Sequence, residues 1–285
     1  MDFIWNAIKD LLKGIINANL TNMFDDVNNN VTTIATQVGT TPQGWNSSVF
    51  SMIKNLSETV VLPIAGVILT FVLVYELITM VTEKNNMHDI DTWIFYKYLF
   101  KACVAVYIVS HTFEITLAIF DVGQAIVNSA AGVISHDTRI NISSALASID
   151  SELDSRSIGG LMLLVMETAL ISMAMNIVGI IITVILYGRM IEIYLTISVA
   201  PIPFSTFSNR EWGNIGTNYI RSLVALAFQG FFMMVCVGIY AVLIRSFTVT
   251  TDLHRTLFSI AAYTVILCFT LFKTSSMSKS IFNAH

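Results

Sequence analysis

Charge is scarce in this chain. Of its 285 residues only 12% are Asp, Glu, Lys or Arg, about half the roughly 25% of an ordinary soluble domain. Cysteine is nearly absent. Cys103, Cys236 and Cys268 lie singly in apolar stretches, odd in number and without a C-x-x-C or Cys/His pairing. They read as small buried hydrophobes rather than a disulfide or metal set. Catalytic signatures are missing as well. The sequence contains no G-x-S-x-G, H-E-x-x-H or G-x-x-x-x-G-K-[ST], and no G-x-G-x-x-G followed by a strand. Its five histidines have no ligand-like spacing. No enzyme activity, cofactor or metal is therefore expected. The opening MDFIWNAIKDLLKG has an acid at position 2 and no basic region, unlike a cleavable signal peptide. Fifteen Lys/Arg against nineteen Asp/Glu give a net charge of −4, so no overall basic character points to nucleic acid.

What the chain has in abundance is apolar sequence. Hydrophobic residues make up 55% and the mean hydropathy is +0.72. The apolar residues collect in long runs, such as SLVALAFQGFFMMVCVGIYAVLI over 222–244, and a membrane span needs about 20 such residues. The fold class expected is all-α, a polytopic membrane helical bundle. Spans are predicted at about 60–82, 98–120, 158–187, 222–244 and 256–272, with a shorter stretch at 190–207. Pro63 should kink the first. The thirty residues of 158–187 exceed the hydrocarbon core, so that helix should tilt or protrude, and Gly188-Arg189 breaks the run.

Ahead of the spans, Phe3, Ile4, Ile8, Leu11, Leu12, Ile15 and Ile16 recur at helical spacing opposite Asp2, Asn6, Lys9, Asp10, Lys13 and Asn17. This is an amphipathic helix, for the membrane surface, a partner or the protein's own bundle. Residues 17–46 are rich in Asn, Thr and Asp and read as polar surface, with a turn at Thr41-Pro42-Gln43-Gly44. The expected organisation is an N-terminal amphipathic helix and polar extracytoplasmic segment over 1–58, then a transmembrane bundle over 59–285.

The 190–207 segment (MIEIYLTISVAPIPFSTF) decides the topology. Pro201 and Pro203 end a helix early. If the segment is re-entrant there are five crossings; if it spans, six. Five crossings with the N-terminus outside put Lys84, Lys97, Lys101, Arg189, Arg210, Arg221, Lys273 and Lys279 inside, against Lys54, Arg139, Arg156, Arg245 and Arg255 outside. Six crossings from the same start reverse that bias, and six from the inside leave it weak. The positive-inside rule favours five, with six as the alternative.

Polar residues at membrane depth are costly and so draw attention. His111, Glu114, Asp121, Gln124 and Asn128 share one face of a continuous helix. They read either as a hydrated wall or as the solvated side of a helix that has left the bilayer. Glu76, Glu167, Asn176 and Gln229 sit singly inside spans, for interhelical hydrogen bonds or a substrate path. Lys97 and Lys101 should snorkel to the interface. Arg189 and Glu192 are spaced to pair on one helix face. With Arg210, Glu211 and Trp212 they bracket the Pro201/Pro203 break, an arrangement that lines cavities in transporters or anchors an interface.

The stretch 187–234, YGRMIEIYLTISVAPIPFSTFSNREWGNIGTNYIRSLVALAFQGFFMM, resembles the core of TrbL-like conjugal transfer proteins, the polytopic inner-membrane components of type IV secretion systems. It is most similar to the short versions on conjugative elements of Gram-positive bacteria. The family's pattern of an Arg before a short apolar helix and a proline-containing turn matches Arg189, residues 190–199 and Pro201/Pro203. Functions that larger relatives place in long soluble C-terminal extensions are not carried over. The resemblance implies a multi-pass protein of the cell membrane that helps move single-stranded DNA and its relaxase. Its implied partners are the other secretion subunits, cytoplasmic ATPases and further copies of itself. The residues assigned to the path or the assembly are Arg189, Glu192, Pro201, Pro203, Arg210, Trp212, His111, Glu114, Asp121 and Gln229. Two other readings stand beside it, a small-solute secondary transporter and a passive scaffold outside the DNA path.

Overall fold

The computed structural model describes residues 2–83, 92–134, 149, 152–245 and 253–284. Lys84, His88, His136, Arg139 and His285 lie outside them. Among the described residues the long elements are all helices: α1 (Asp2–Val38), α2 (Pro42–Trp45), α3 (Ser47–Leu56), α4 (Leu62–Glu83), α5 (Thr92–Ser110), α6 (Thr112–Ile134), α7 (Ile158–Val199), α8 (Pro201–Ser205), α9 (Gly213–Arg245) and α10 (Leu253–Ile281). Five segments are long and apolar enough to cross a membrane: Ser47–Thr82, Thr112–Ile134, Ile158–Ser205, Gly213–Ile244 and His254–Ile281. The protein is an all-α, multi-pass membrane bundle.

Local chemistry sets the breaks. Thr41 caps α2 by accepting the Gly44 N–H on its Oγ1 at 3.0 Å, with Pro42 at the first helical position, where its missing N–H costs nothing. Asn46 caps α3 by accepting from Ser48 and Val49 at 3.1 and 3.0 Å. The irregularity that Pro63 imposes is a π-helical segment, Ser57–Val61, between α3 and α4. Pro63 has no N–H for the carbonyl one turn back, and the ladder widens so that the Leu62 N–H reaches the Ser57 carbonyl.

Two sequence expectations are corrected. The predicted span at 98–120 straddles a turn at His111. Lys97 and Lys101 stay on α5, and the apolar segment of spanning length begins at Thr112. Gly188-Arg189 interrupts the apolar run but not the helix, because α7 continues for 42 residues, about 63 Å. A helical glycine costs only about 1 kcal/mol against alanine. The chain breaks instead at Ala200, one residue before Pro201.

The structure divides into two compact units. The first comprises 1–39, 127–187 and 231–274; the second comprises 40–126, 188–230 and 275–285. In the first, α1 runs on well past residue 16. Leu12, Ile16, Leu20, Met23, Val27, Val31, Ile34 and Val38 recur every three or four residues and are all buried. They share a core with Leu161, Leu164, Ile171, Met175, Val178 and Ile182 of α7. Asn19 Nδ2 donates to Thr168 Oγ1 at 3.1 Å. Lys13 pairs with Asp154. Gly179 leaves room for Asn30, whose Oδ1 lies 3.3 Å from where a β-carbon would stand.

In the second unit, Ala65, Leu69, Ala105, Val109, Phe113, Ile193, Tyr194, Phe204, Leu223 and Leu226 are among the core residues. The α9 helix begins so close to α8 that a β-carbon on Gly216 would sit 2.7 Å from the Pro203 carbonyl oxygen. Gly123 meets Ala227 in the same way, at 2.8 Å. Of the three cysteines only Cys268 is buried; Cys103 is exposed, because it falls on an outward position of α5.

Candidate functional site

The second unit gathers most of the residues singled out from the sequence. Pro201 and Pro203 are both buried in α8. Pro201 helps line a small cavity of about 30 Å³ with Ser57, Glu58, His111 and Glu114. Three helix irregularities therefore meet there: the π segment, the turn between α5 and α6, and the start of α8. The volume suits about one water molecule. The Ser57 hydroxyl is buried without a partner. His111 stacks on Tyr107 at 4.3 Å, and its Nδ1 lies 2.9 Å from the Tyr107 carbonyl oxygen. The Ser110 hydroxyl oxygen lies 3.1 Å from the same nitrogen. Ser57 was not marked in the sequence; the proline six residues on was the available signal.

His111, Glu114, Asp121, Gln124 and Asn128 do not form a buried file. Glu114, Asp121 and Asn128 are exposed, and His111 and Gln124 half-buried. Gln229 is buried in α9.

The expected Arg189–Glu192 pair is absent. Glu192 instead accepts from Lys279 Nζ at 3.0 Å, bridging α7 to α10. This pair lines a cavity of about 160 Å³ with Thr196, Ser222, Leu226 and Ala284. Arg189 is buried, its Nε has no partner, and Glu192 is the neighbouring charge it feels. Local spacing suggested the i, i+3 partner, whereas packing supplied one 87 residues away.

Beyond α8, Asn209 Oδ1 accepts from the backbone N–H groups of Glu211 and Trp212 at 2.7 and 3.0 Å and so shapes the entry to α9. This holds Trp212 against Phe71 and Tyr75, with ring centroids at 5.6 and 5.7 Å and planes within 14°. The Tyr75 hydroxyl donates to Glu211 Oε2 at 3.1 Å. Arg210 is exposed beside them.

Glu76, Glu167 and Asn176 each have a partner. Lys101 Nζ donates to Glu76 Oε1 at 2.5 Å, where snorkelling was expected; Lys97 lies over the Trp93 ring instead, at 5.8 Å. In the first unit, Glu167 pairs with His254 Nδ1. Arg156 Nη1 reaches His254 Nε2 at 2.9 Å and its Nη2 donates to Glu152 at 3.0 Å. Asn176 bonds the Ser172 carbonyl of its own helix.

These arrangements link helices and enclose two small, partly polar spaces. Among the described residues no group of three His, Cys, Asp or Glu side chains could hold a metal ion. Fold and polar linkages together define a multi-pass helical membrane protein.

Residues 27–201 match the family described as TrbL/VirB6 plasmid conjugal transfer like protein. The match covers more than half of the chain, which belongs to that family. Membership implies a conjugal transfer component of a type IV secretion system. The matched residues overlap the 187–234 stretch only over 187–201, so the family's pattern lies mostly in α1 to α7. No curated protein and no solved structure matches the chain.

Proposed function

We propose that this protein is a channel or scaffold subunit of a conjugative secretion apparatus, and that it helps carry single-stranded DNA with its relaxase across the cytoplasmic membrane. The observation that carries the reading is the family match over 27–201 on a chain with five span-length apolar segments. Several copies assemble, because five helices alone leave little room for a DNA strand. The N-terminus lies outside, as the Lys/Arg distribution favours. Energy comes from separate cytoplasmic ATPases, in keeping with a sequence that has no phosphate-binding loop. Weak basic character suits a conduit, since phosphate affinity grows with each Lys or Arg contact.

The test is mating frequency after an in-frame deletion, with the gene restored in trans. Transfer should collapse and return on complementation, with growth unaffected. Unchanged transfer would overturn the reading.

A further inference from the structure

The turn at 152–156, just before α7, meets the start of α10 around one histidine. His254 Nδ1 bonds Glu167 of α7, and its Nε2 lies 2.9 Å from Arg156 Nη1. Arg156 also donates from Nη2 to Glu152 Oε1 at 3.0 Å. All four residues belong to the first compact unit.

The partners fix where the proton sits. A guanidinium has only N–H donors, and an ionised carboxylate only accepts. Nε2 therefore accepts from Arg156, and Nδ1 donates the single ring proton to Glu167. His254 is neutral in this arrangement and ties a cation to an anion. A second proton, on Nε2, would point one N–H at another, and the contact with Arg156 would break. The remaining contacts would strengthen or stay. His254 would form a full ion pair with Glu167, and Arg156 would keep Glu152. With a neutral ring, Glu152, Arg156 and Glu167 sum to one negative charge; the added proton cancels it. Of the other charges at this end, Asp154 is taken by Lys13 of α1. Lys9 and Asp10 lie one turn earlier on α1, and Arg255 is exposed on α10.

The ring is open to its surroundings. The His254 side chain is 41% exposed, against 16% for Glu167, and His254 is the second residue of α10. Histidine is the side chain whose charge ordinarily changes between about pH 5 and pH 8.

We propose that His254 is a proton-operated latch between the 152–156 turn and α10. Neutral, it holds both Arg156 and Glu167. Protonated, it keeps Glu167 and releases Arg156 to Glu152 alone. Two arrangements of one polar cluster are thus exchanged by a single proton. The latch does not depend on the channel reading and is tested on the purified full chain.

In phosphatidylcholine nanodiscs, nitrogen NMR of histidine-labelled protein reads the ring directly, with His254 assigned by its loss in His254→Gln. The proton should sit on Nδ1 at about pH 8 and on both nitrogens at about pH 5. A nitroxide on Ser155→Cys, in a chain whose native cysteines are alanine, reads the turn. Its correlation time should fall by half or more on acidification. Glutamine at 254 offers one acceptor and one donor but takes no proton, so that variant should keep the turn slow throughout. Arg156→Ala should leave it fast throughout. A proton on Nε2 rather than Nδ1 in the neutral ring would overturn the latch. So would a nitroxide whose motion follows pH no more than it does in His254→Gln. The tautomer is read on the unsubstituted chain, so poor folding of a variant does not shelter the proposal.

Discussion

Glu192 on α7 takes its counter-ion from Lys279 on α10, at 3.0 Å, and leaves Arg189, one turn earlier on its own helix, buried with an unpartnered Nε. Both members of the pair are nearly half exposed, at 41% and 45% for the side chains. The pair is therefore worth no more than about 1 kcal/mol. A double-mutant cycle with Glu192→Gln and Lys279→Met, read by thermal unfolding in detergent, should give a coupling within that bound. The exchanged pair Glu192→Lys with Lys279→Glu should recover most of what either single reversal loses.

Arg189 should behave in the opposite way. A buried guanidinium with an orphaned nitrogen is costly, and replacing buried charge by a packed apolar side chain is often stabilising, by about 1–4 kcal/mol. Arg189→Met is expected to raise the unfolding temperature while lowering transfer, because the charge then serves the assembled apparatus rather than the isolated fold. A fall in unfolding temperature would show that the guanidinium is satisfied within the chain.

The Trp212 stack gives a graded test. Trp212→Ala loses two aromatic contacts, each worth about 0.5–1.5 kcal/mol. Tyr75→Phe keeps the ring and loses only the hydrogen bond to Glu211. Unfolding temperatures should fall clearly for the first and slightly for the second.

Three glycines should separate by their surroundings. A β-carbon at Gly188 meets nothing within 4 Å, so Gly188→Ala inside α7 should stabilise by about 0.5–1 kcal/mol. At Gly123 and Gly216 it would stand 2.8 and 2.7 Å from Ala227 and the Pro203 carbonyl. Alanine at either position should destabilise or reduce the folded yield. Equal behaviour of all three would contradict the packing described.

The all-α membrane class was legible because long apolar runs have few other uses. The course of α1 was harder to read. Its stripe Leu20, Met23, Val27, Val31, Ile34 and Val38 is written in the letters, but an Asn, Thr and Asp background hides it from any search for apolar runs. The two prolines of α8 marked the break at Ala200, whereas Gly188-Arg189, about twelve residues earlier, disturbs hydropathy without disturbing the helix. Ion pairs were the least legible. Glu192 has an arginine at ideal local spacing and yet bonds Lys279, and Glu76 bonds Lys101 across two helices. Such partners depend on packing between distant segments, which local spacing does not encode.

In the proposed function, transferred DNA passes this protein. The direct measurement is formaldehyde crosslinking in donor cells during mating, immunoprecipitation of this chain and amplification of the transferred strand. That strand should be recovered only when the relaxase has nicked its origin, and recovery should be lost when the cytoplasmic ATPases are inactive. Recovery of the strand with neighbouring subunits but never with this one would contradict it.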